Sequence, residues 1–347
     1  MTSDVVAAVR EVAASIFAAA DMSGDGFDAT SWRSLEAAGF TRLTVPESAG
    51  GGGAGLDLAA AVLLEAGAHA ARVPLAETDL LAGWLLAGAG IALPAGPLTA
   101  VAAVAGVEHD ISRDGDGWRI RAELSGVPWA GCAAGVAVLT PRLVVLLDTC
   151  QVVPGRNLAG EPRDTVVIDG FAGGDAVAEA DGAVLEDELR LRAALARTQL
   201  LAGALSATLS AAVRYAGERT QFGRPIARFQ AVQQQLALAA GEVAAACSAA
   251  EAAAAAATRA GVTADASVIA IASAKARASE AAGAVAAIAH QVHGAIGFTR
   301  EHPLRVLTTR LWAWRDEDGS DAYWNGVIGA RALSLGPAGL WPMLTGT

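Results

Sequence analysis

The sequence predicts a mainly α-helical protein with a β-strand region set into its middle. Three observations predict it. Apolar residues recur at helical spacing in residues 1–93 and 183–347, with recognisable starts and stops. Residues 94–182 instead carry short β-branched runs broken by turn residues. The C-terminal part is so rich in alanine that its helices can approach closely. The chain thus reads as three parts: an N-terminal helical domain (1–93), a middle β-domain (94–182) and a C-terminal helical bundle (183–347).

In the first part, residues 4–20 form an amphipathic pattern, and 31–38 a short helix that stops before Gly39. Residues 56–70 make another helix, and 75–86 a fourth with Pro74 as its starter. Between them lies Val45-Pro-Glu-Ser-Ala-Gly-Gly-Gly-Gly-Ala-Gly55. It lacks the Lys-Ser/Thr ending of a phosphate loop and follows no strand, so it reads as a flexible surface turn. Residues 80–107 contain no charge and are long enough to span a bilayer. Pro94, Pro97 and several glycines argue instead for a helix, a turn and a strand in a core.

In the second part, Trp118-Arg-Ile-Arg-Ala-Glu-Leu alternates apolar and polar residues. Gly135-Val-Ala-Val-Leu-Thr, Leu143-Val-Val-Leu-Leu-Asp and Asp164-Thr-Val-Val-Ile-Asp are further strand-like runs. The expectation is a compact antiparallel sheet or small barrel. In the third part, helices are expected over 186–215, 229–260 and 265–292, the last capped by Asp265, with a final helix over 322–333. Long helices with short links suggest an antiparallel bundle.

Composition narrows the function. The 347 residues carry a formal net charge of −11, which argues against a nucleic-acid binder. Cys132, Cys150 and Cys247 are too far apart to form a disulfide framework, and no signal-peptide pattern opens the chain. A reducing, cytoplasmic setting is expected. His69, His109, His290, His293 and His302 show no metal-ligand pattern and read as structural histidines.

Two segments concentrate chemistry. Glu218-Arg-Thr-Gln-Phe-Gly-Arg-Pro-Ile-Ala-Arg-Phe-Gln-Ala-Val232 gathers Arg219, Arg224 and Arg228 with Phe222 and Phe229 in an otherwise acidic chain. Guanidinium forks suit pyrophosphate oxygens, and an aromatic face suits an adenine ring; arginines pairing with surface carboxylates in a linking turn would look the same. His290-Gln-Val-His-Gly-Ala-Ile-Gly-Phe-Thr-Arg-Glu-His-Pro-Leu304 closes a long helical pattern with polar residues and glycines. Gly294 and Gly297 would let backbone approach something closely, or simply cap the helix.

Arg219-Thr-Gln-Phe-Gly-Arg-Pro-Ile with Phe229-Gln-Ala-Val resembles the signature of the acyl-CoA dehydrogenase family, as does Ala272-Ser-Ala-Lys275 continuing into Gln291-Val-His-Gly-Ala-Ile-Gly-Phe-Thr-Arg-Glu301. Val45-Pro-Glu47 resembles that family's first-domain turn. The resemblance implies a helical domain, an antiparallel β-domain and a C-terminal four-helix bundle. It implies oxidation of an acyl-CoA to its 2,3-enoyl-CoA with FAD as hydride acceptor and an electron-transfer protein as reoxidant. It places FAD across an interface between subunits. On that reading Arg219, Gln221, Phe222, Phe229, Gln230, Gln291, Gly294, Ala295 and Ser320 bind the cofactor. Ala295 stands where the family has a second glycine. The family's base position falls on Asp318, one methylene shorter than the usual glutamate, with Glu317 adjacent; a solvated charge cluster would look the same. The alternative base position falls near Ala193, which has no carboxylate.

The middle departs further. The family's Thr-Glu-Pro segment has no counterpart between Leu98 and Asp116, and Val127-Pro-Trp-Ala-Gly131 replaces its Trp-Ile-Thr segment. The adenine-side grip is kept while much of the flavin-ring side is missing. This asymmetry resembles the smaller subunit of bacterial heteromeric acyl-CoA dehydrogenases acting on fatty-acid or steroid side chains. Two other expectations stand beside catalysis by this chain: a non-catalytic partner that completes another subunit's FAD site, and a flavin-dependent monooxygenase on the same fold.

Overall fold

The computed structural model describes residues 3–20, 22, 24, 26–103, 109–299 and 302–345. They fall into two units, one of Met1–Gly24, Ala60–Ala71 and Ala194–Thr347, the other of Asp25–Ala59 and Arg72–Ala193. The elements run in the order helices, strands, helices. Helix α1 is Ser3–Ala18, α2 is Ala29–Ala37 and α3 is Leu56–Ala68.

In the second unit, the Asp28 carboxylate accepts the Thr30 and Ser31 N–H groups and so starts α2. The glycine-rich run after it is a closed loop, not the flexible turn expected. Gly51 N–H donates to Pro46, Gly52 to Arg42, Gly53 to Val45 and Ala54 to Leu43. Those donors are consumed, so the loop offers no phosphate cradle. A Cβ on Gly51 would stand 2.1 Å from the Val45 carbonyl oxygen, so only glycine fits.

The helix expected over 75–86 is present but wound as a π-helix over Glu77–Gly83, followed by α4 (Trp84–Gly88). All seven π-helical residues are buried. The polar ones are used: Thr78 Oγ1 accepts the Leu98 N–H at 2.9 Å, and Asp79 Oδ1 accepts the Thr44 N–H at 2.9 Å. The uncharged stretch from Leu80 onward leaves this helix, turns, and enters a strand at Leu98; residues 104–108 lie outside the described residues.

Eight strands follow: β1 (Leu98–Ala102), β2 (His109–Asp114), β3 (Gly117–Pro128), β4 (Gly135–Leu139), β5 (Leu143–Leu147), β6 (Gln151–Val153), β7 (Arg163–Ala172) and β8 (Val177–Glu179). They make two four-stranded sheets, ordered β1-β4-β5-β8 and β2-β3-β7-β6, rather than one antiparallel sheet or barrel. The pair β1–β4 is parallel, and the others are antiparallel. The alternation read in β3 is real. Trp118, Ile120 and Leu124 enter a core with Val136, Val145, Val166 and Ile168. Arg119 and Arg121 point outward and pair with Asp169.

The first unit carries the bundle. Helix α5 is Gly182–Glu218, α6 is Gln230–Ala260, α7 is Asp265–His293 and α8 is Leu304–Asp316. Helix α9, Asp321–Thr345, bends at Gly336 ahead of Pro337. Arg10 on α1 bonds Glu65 on α3 at 2.8 Å. Helix α3 crosses α5 on glycines: a Cβ on Gly203 would sit 1.9 Å from the Leu64 carbonyl oxygen, and one on Gly67 2.1 Å from that of Leu200. Gln199 on α5 donates to the Ala250 carbonyl on α6. Helix α6 buries Ala246, Ala250, Ala253 and Ala257 and packs on α7, which buries Ala274, Ala278, Ala281 and Val285.

Three end readings are corrected. Ala264, not Asp265, holds the α7 cap position; Asp265 pairs with Arg331 on α9. Helix α8 was not read at all, and the last helix extends past 333. By length and composition two helical spans, Gln230–Ala260 and Asp265–Phe298, could cross a membrane, because alanine scores as apolar.

Candidate functional site

Tyr215, near the end of α5, stacks on His293 at the end of α7, with ring centroids 4.3 Å apart. Ala212, Ala289 and Leu304 share one buried cluster, with Leu236 of α6 packed against it. These contacts bring the two motifs read from the sequence to the same end of the bundle, although about seventy residues separate them.

The first motif is a short hairpin. Thr220–Gln221 pairs with Arg224–Pro225, and the Ile226 N–H closes it on the Arg219 carbonyl at 2.8 Å. Its two turn residues, Phe222 (φ 52°) and Gly223 (φ 76°), both have positive φ, as a type I′ turn requires. Phe222 is 93% exposed, and its ring meets that of Phe229 edge-on. Arg224 lies over the Phe229 ring, 4.4 Å from the centroid, so this arginine is positioned rather than free. Arg219, Gln221, Arg228 and Gln230 are exposed beside them. Arg219, Arg224 and Arg228 have no carboxylate partner among the described residues, so the alternative of arginines paired with surface acids is not what the structure contains.

The second motif ends α7. Gln291, Gly294 and Ala295 are exposed. Gly294 has φ 65° and open space where a side chain would project. Gly297 serves packing instead: a Cβ there would lie 2.9 Å from His293 Cβ and 3.2 Å from Leu304 Cδ2. Its close approach is to its own chain. The histidines are only partly satisfied. His290 Nε2 bonds Thr308 Oγ1 at 2.9 Å, but its Nδ1 is buried with no partner among the described residues. Burial lowers the pKa of both His290 and His293.

Asp318 and Glu317 lie elsewhere, in the turn between α8 and α9. Arg197, buried on α5, takes both: Nε reaches Asp318 Oδ2 at 2.9 Å and Nη2 reaches Glu317 Oε2 at 3.2 Å. Asp318 has φ 56°, and its carbonyl accepts the Trp324 indole N–H. Lys275 is fully buried under the turn. Its ammonium donates to Ser279 Oγ and to the carbonyls of Arg315 and Gly319, using all three hydrogens. Burial pushes the Lys275 pKa down to about 8 against the opposing pull of Asp318. Ser320 Oγ accepts the Tyr323 N–H at the start of α9. The two acidic residues are therefore ion-paired with a buried arginine 121 positions from Asp318 while remaining partly exposed. Sequence reading missed Arg197; its one signal is an isolated arginine inside the apolar run 193–205.

The acyl-CoA dehydrogenase C-terminal domain matches residues 190–333. The acyl-CoA dehydrogenase IpdE2 of Mycolicibacterium smegmatis is 31% identical over 288 residues, which are 82% of this chain and 82% of that protein. Among solved structures, the ChsE4–ChsE5 complex from Mycobacterium tuberculosis superposes with a TM-score of 0.85 at 25% identity, covering 97% of this chain and 99% of that one. A steroid acyl-CoA dehydrogenase, Tcur3481–Tcur3483, superposes with a TM-score of 0.78 at 25% identity, covering 94% and 97%. With the order of its elements and the pairing of its two motifs, these matches place the chain in the acyl-CoA dehydrogenase family.

Proposed function

We propose that this chain is a subunit of a hetero-oligomeric, FAD-dependent acyl-CoA dehydrogenase and that it grips the adenosine-diphosphate half of a cofactor held mainly by its partner. The observation that carries this is the exposed trio Arg219, Arg224 and Arg228, unpaired in a chain of net charge −11, beside an outward-facing Phe222. Exposed guanidinium forks beside an exposed ring suit an anion that bears a planar group. The residues fit that group. Arg219 and Arg228 bind pyrophosphate oxygens, and Phe222 and Phe229 give ring faces to adenine. Gln221, Gln230 and Gln291 supply amide donors and acceptors. Gly294 leaves room for close approach, and Ala295 adds one exposed methyl to that surface; Ser320, in the separate turn between α8 and α9, keeps its hydroxyl hydrogen to donate to another part of the cofactor.

FAD supplies the hydride acceptor for β-carbon oxidation, and an electron-transfer protein reoxidises it. The α-proton needs a carboxylate that can meet the substrate carbon. Both candidates here, Asp318 and Glu317, bond Arg197, and leaving that guanidinium costs a buried ion pair. We therefore assign proton removal to the partner. A second reading keeps Asp318 as the base; its positive φ favours this, since such strain gathers at active sites. Similarity to a steroid acyl-CoA dehydrogenase and to the ChsE4–ChsE5 complex supports a bulky acyl-CoA and a two-chain assembly. Three free cysteines suit the cytoplasm.

Flavin absorbance of the purified chain, alone and co-expressed with the homologue of a neighbouring gene, tests the proposal. Flavin is expected only in the co-expressed complex, with at least a ten-fold loss of retention in Arg219→Ala. Stoichiometric FAD and acyl-CoA turnover in the lone chain would overturn it.

A further inference from the structure

Behind the cofactor-facing motifs lies a cavity of about 330 Å³, at the small end of ligand pockets. Tyr215, His293 and His302 form one wall of it. His302 stands edge-on to both other rings, with centroids 5.0 Å from His293 and 6.4 Å from Tyr215. Ala211, Leu304 and Leu307 add apolar lining. Its lining takes Glu218, His293 and Leu304 from the same two segments, but on the inner side of α7: His293 is buried, whereas Gln291, two residues earlier, is exposed.

Backbone bonds fix the two tautomers. His293 Nδ1 lies 2.8 Å from the Ala289 carbonyl, which can only accept, so Nδ1 carries the hydrogen and Nε2 presents a bare lone pair. His302 Nδ1 accepts the Leu304 N–H at 3.2 Å, so its hydrogen is on Nε2. Neither Nε2, nor the Tyr215 hydroxyl, has a hydrogen-bond partner among the described residues. His293 is nevertheless only 5% exposed. Each of these polar atoms is left available to a ligand atom of the opposite hydrogen-bonding sense. Burial keeps His293 neutral by lowering its pKa. The exposed side chains of Arg214 and Glu218 also line the cavity, and their opposite charges cancel, so nothing there selects a charged ligand.

We propose that this cavity binds a neutral, planar heteroaromatic molecule of nucleobase size that bears a hydrogen-bond donor and an acceptor on one edge. The donor meets His293 Nε2, the acceptor meets the His302 Nε2–H, and the ring packs against the aromatic wall and the leucines. This site stands independently of the FAD assignment.

Calorimetric titration of the full chain with adenine and with nicotinamide tests it. Saturable one-to-one binding of at least one probe is expected, and toluene should not compete. His293→Phe and His302→Phe keep a ring and remove its nitrogens; each should weaken binding ten-fold or more. Should either variant fold poorly, NMR of the wild-type chain replaces it: the Cε1–H signals of His293 and His302 should shift on adding the probe. Failure of both probes to bind, equal competition by toluene, variants that bind like wild type, or unmoved histidine signals would each overturn the proposal.

Discussion

Phe222 sits where neither burial nor backbone preference would put a phenylalanine: exposed, and in the left-handed region. The strain is worth about 1 kcal/mol or more. Phe222→Gly should relieve it, leaving the melting temperature equal or higher while flavin retention by the assembled complex falls. Lower stability with unchanged retention would show that the residue serves the turn alone. Arg197 makes the opposite case. Arg197→Met would leave Glu317 and Asp318 side by side without their cation and should cost about 3 kcal/mol in urea unfolding. The residues proposed to hold the cofactor stand out in the sequence because most cluster in two short, chemically conspicuous segments. The Arg197 pairing was not, because nothing local links positions 197 and 318.

At the scale of elements, long helices could be read and short or irregular ones could not. Helices α5, α6 and α7 announce themselves through alanine and glycine stops. Helix α8 hides because its exposed face carries Arg305 and Trp312 among its threonines, and strands of three residues such as β6 and β8 leave almost no pattern. The tightest helix contact is also testable. Gly203→Ala should cost about 3 kcal/mol, since its Cβ would collide with backbone on α3 that cannot swing aside. The π-helix adds a pH dependence. Burial raises the pKa of Asp79 from its ordinary 3.8 to about 7. The folded state therefore holds this proton where the unfolded chain has lost it. Asp79 thus favours folding at low pH, and that advantage is lost as pH rises from about 4 through about 7. Asp79→Asn keeps an acceptor for Thr44 and should leave the melting temperature unchanged at pH 4 but raise it at pH 8; equal effects at both would refute this.

Across the whole molecule, the helical, β and helical order follows from periodicity alone, whereas the two-sheet arrangement of the middle does not. Pairing β1 with β4 in parallel depends on contacts that skip two strands, and no short-range signal specifies them. The two segments that resemble the family's signature lie mainly at the ends of helices rather than within them. The same division separates the tests: flavin retention tests the proposed role of the exposed hairpin, and unfolding reports on the bundle beneath it.

The alanine seam of α6 and α7 has a consequence for how this sequence can drift. A buried methyl loses no rotamer freedom on folding, so the seam forms at little entropic cost. The same closeness leaves no room for a larger side chain. Saturation mutagenesis across Gln230–Ala260 should therefore give a tolerance profile with a helical beat, nearly silent on the outer face and intolerant of anything beyond alanine, serine or glycine at Ala246, Ala250, Ala253 and Ala257. The apparent low complexity of that stretch is then a record of selection acting at every turn.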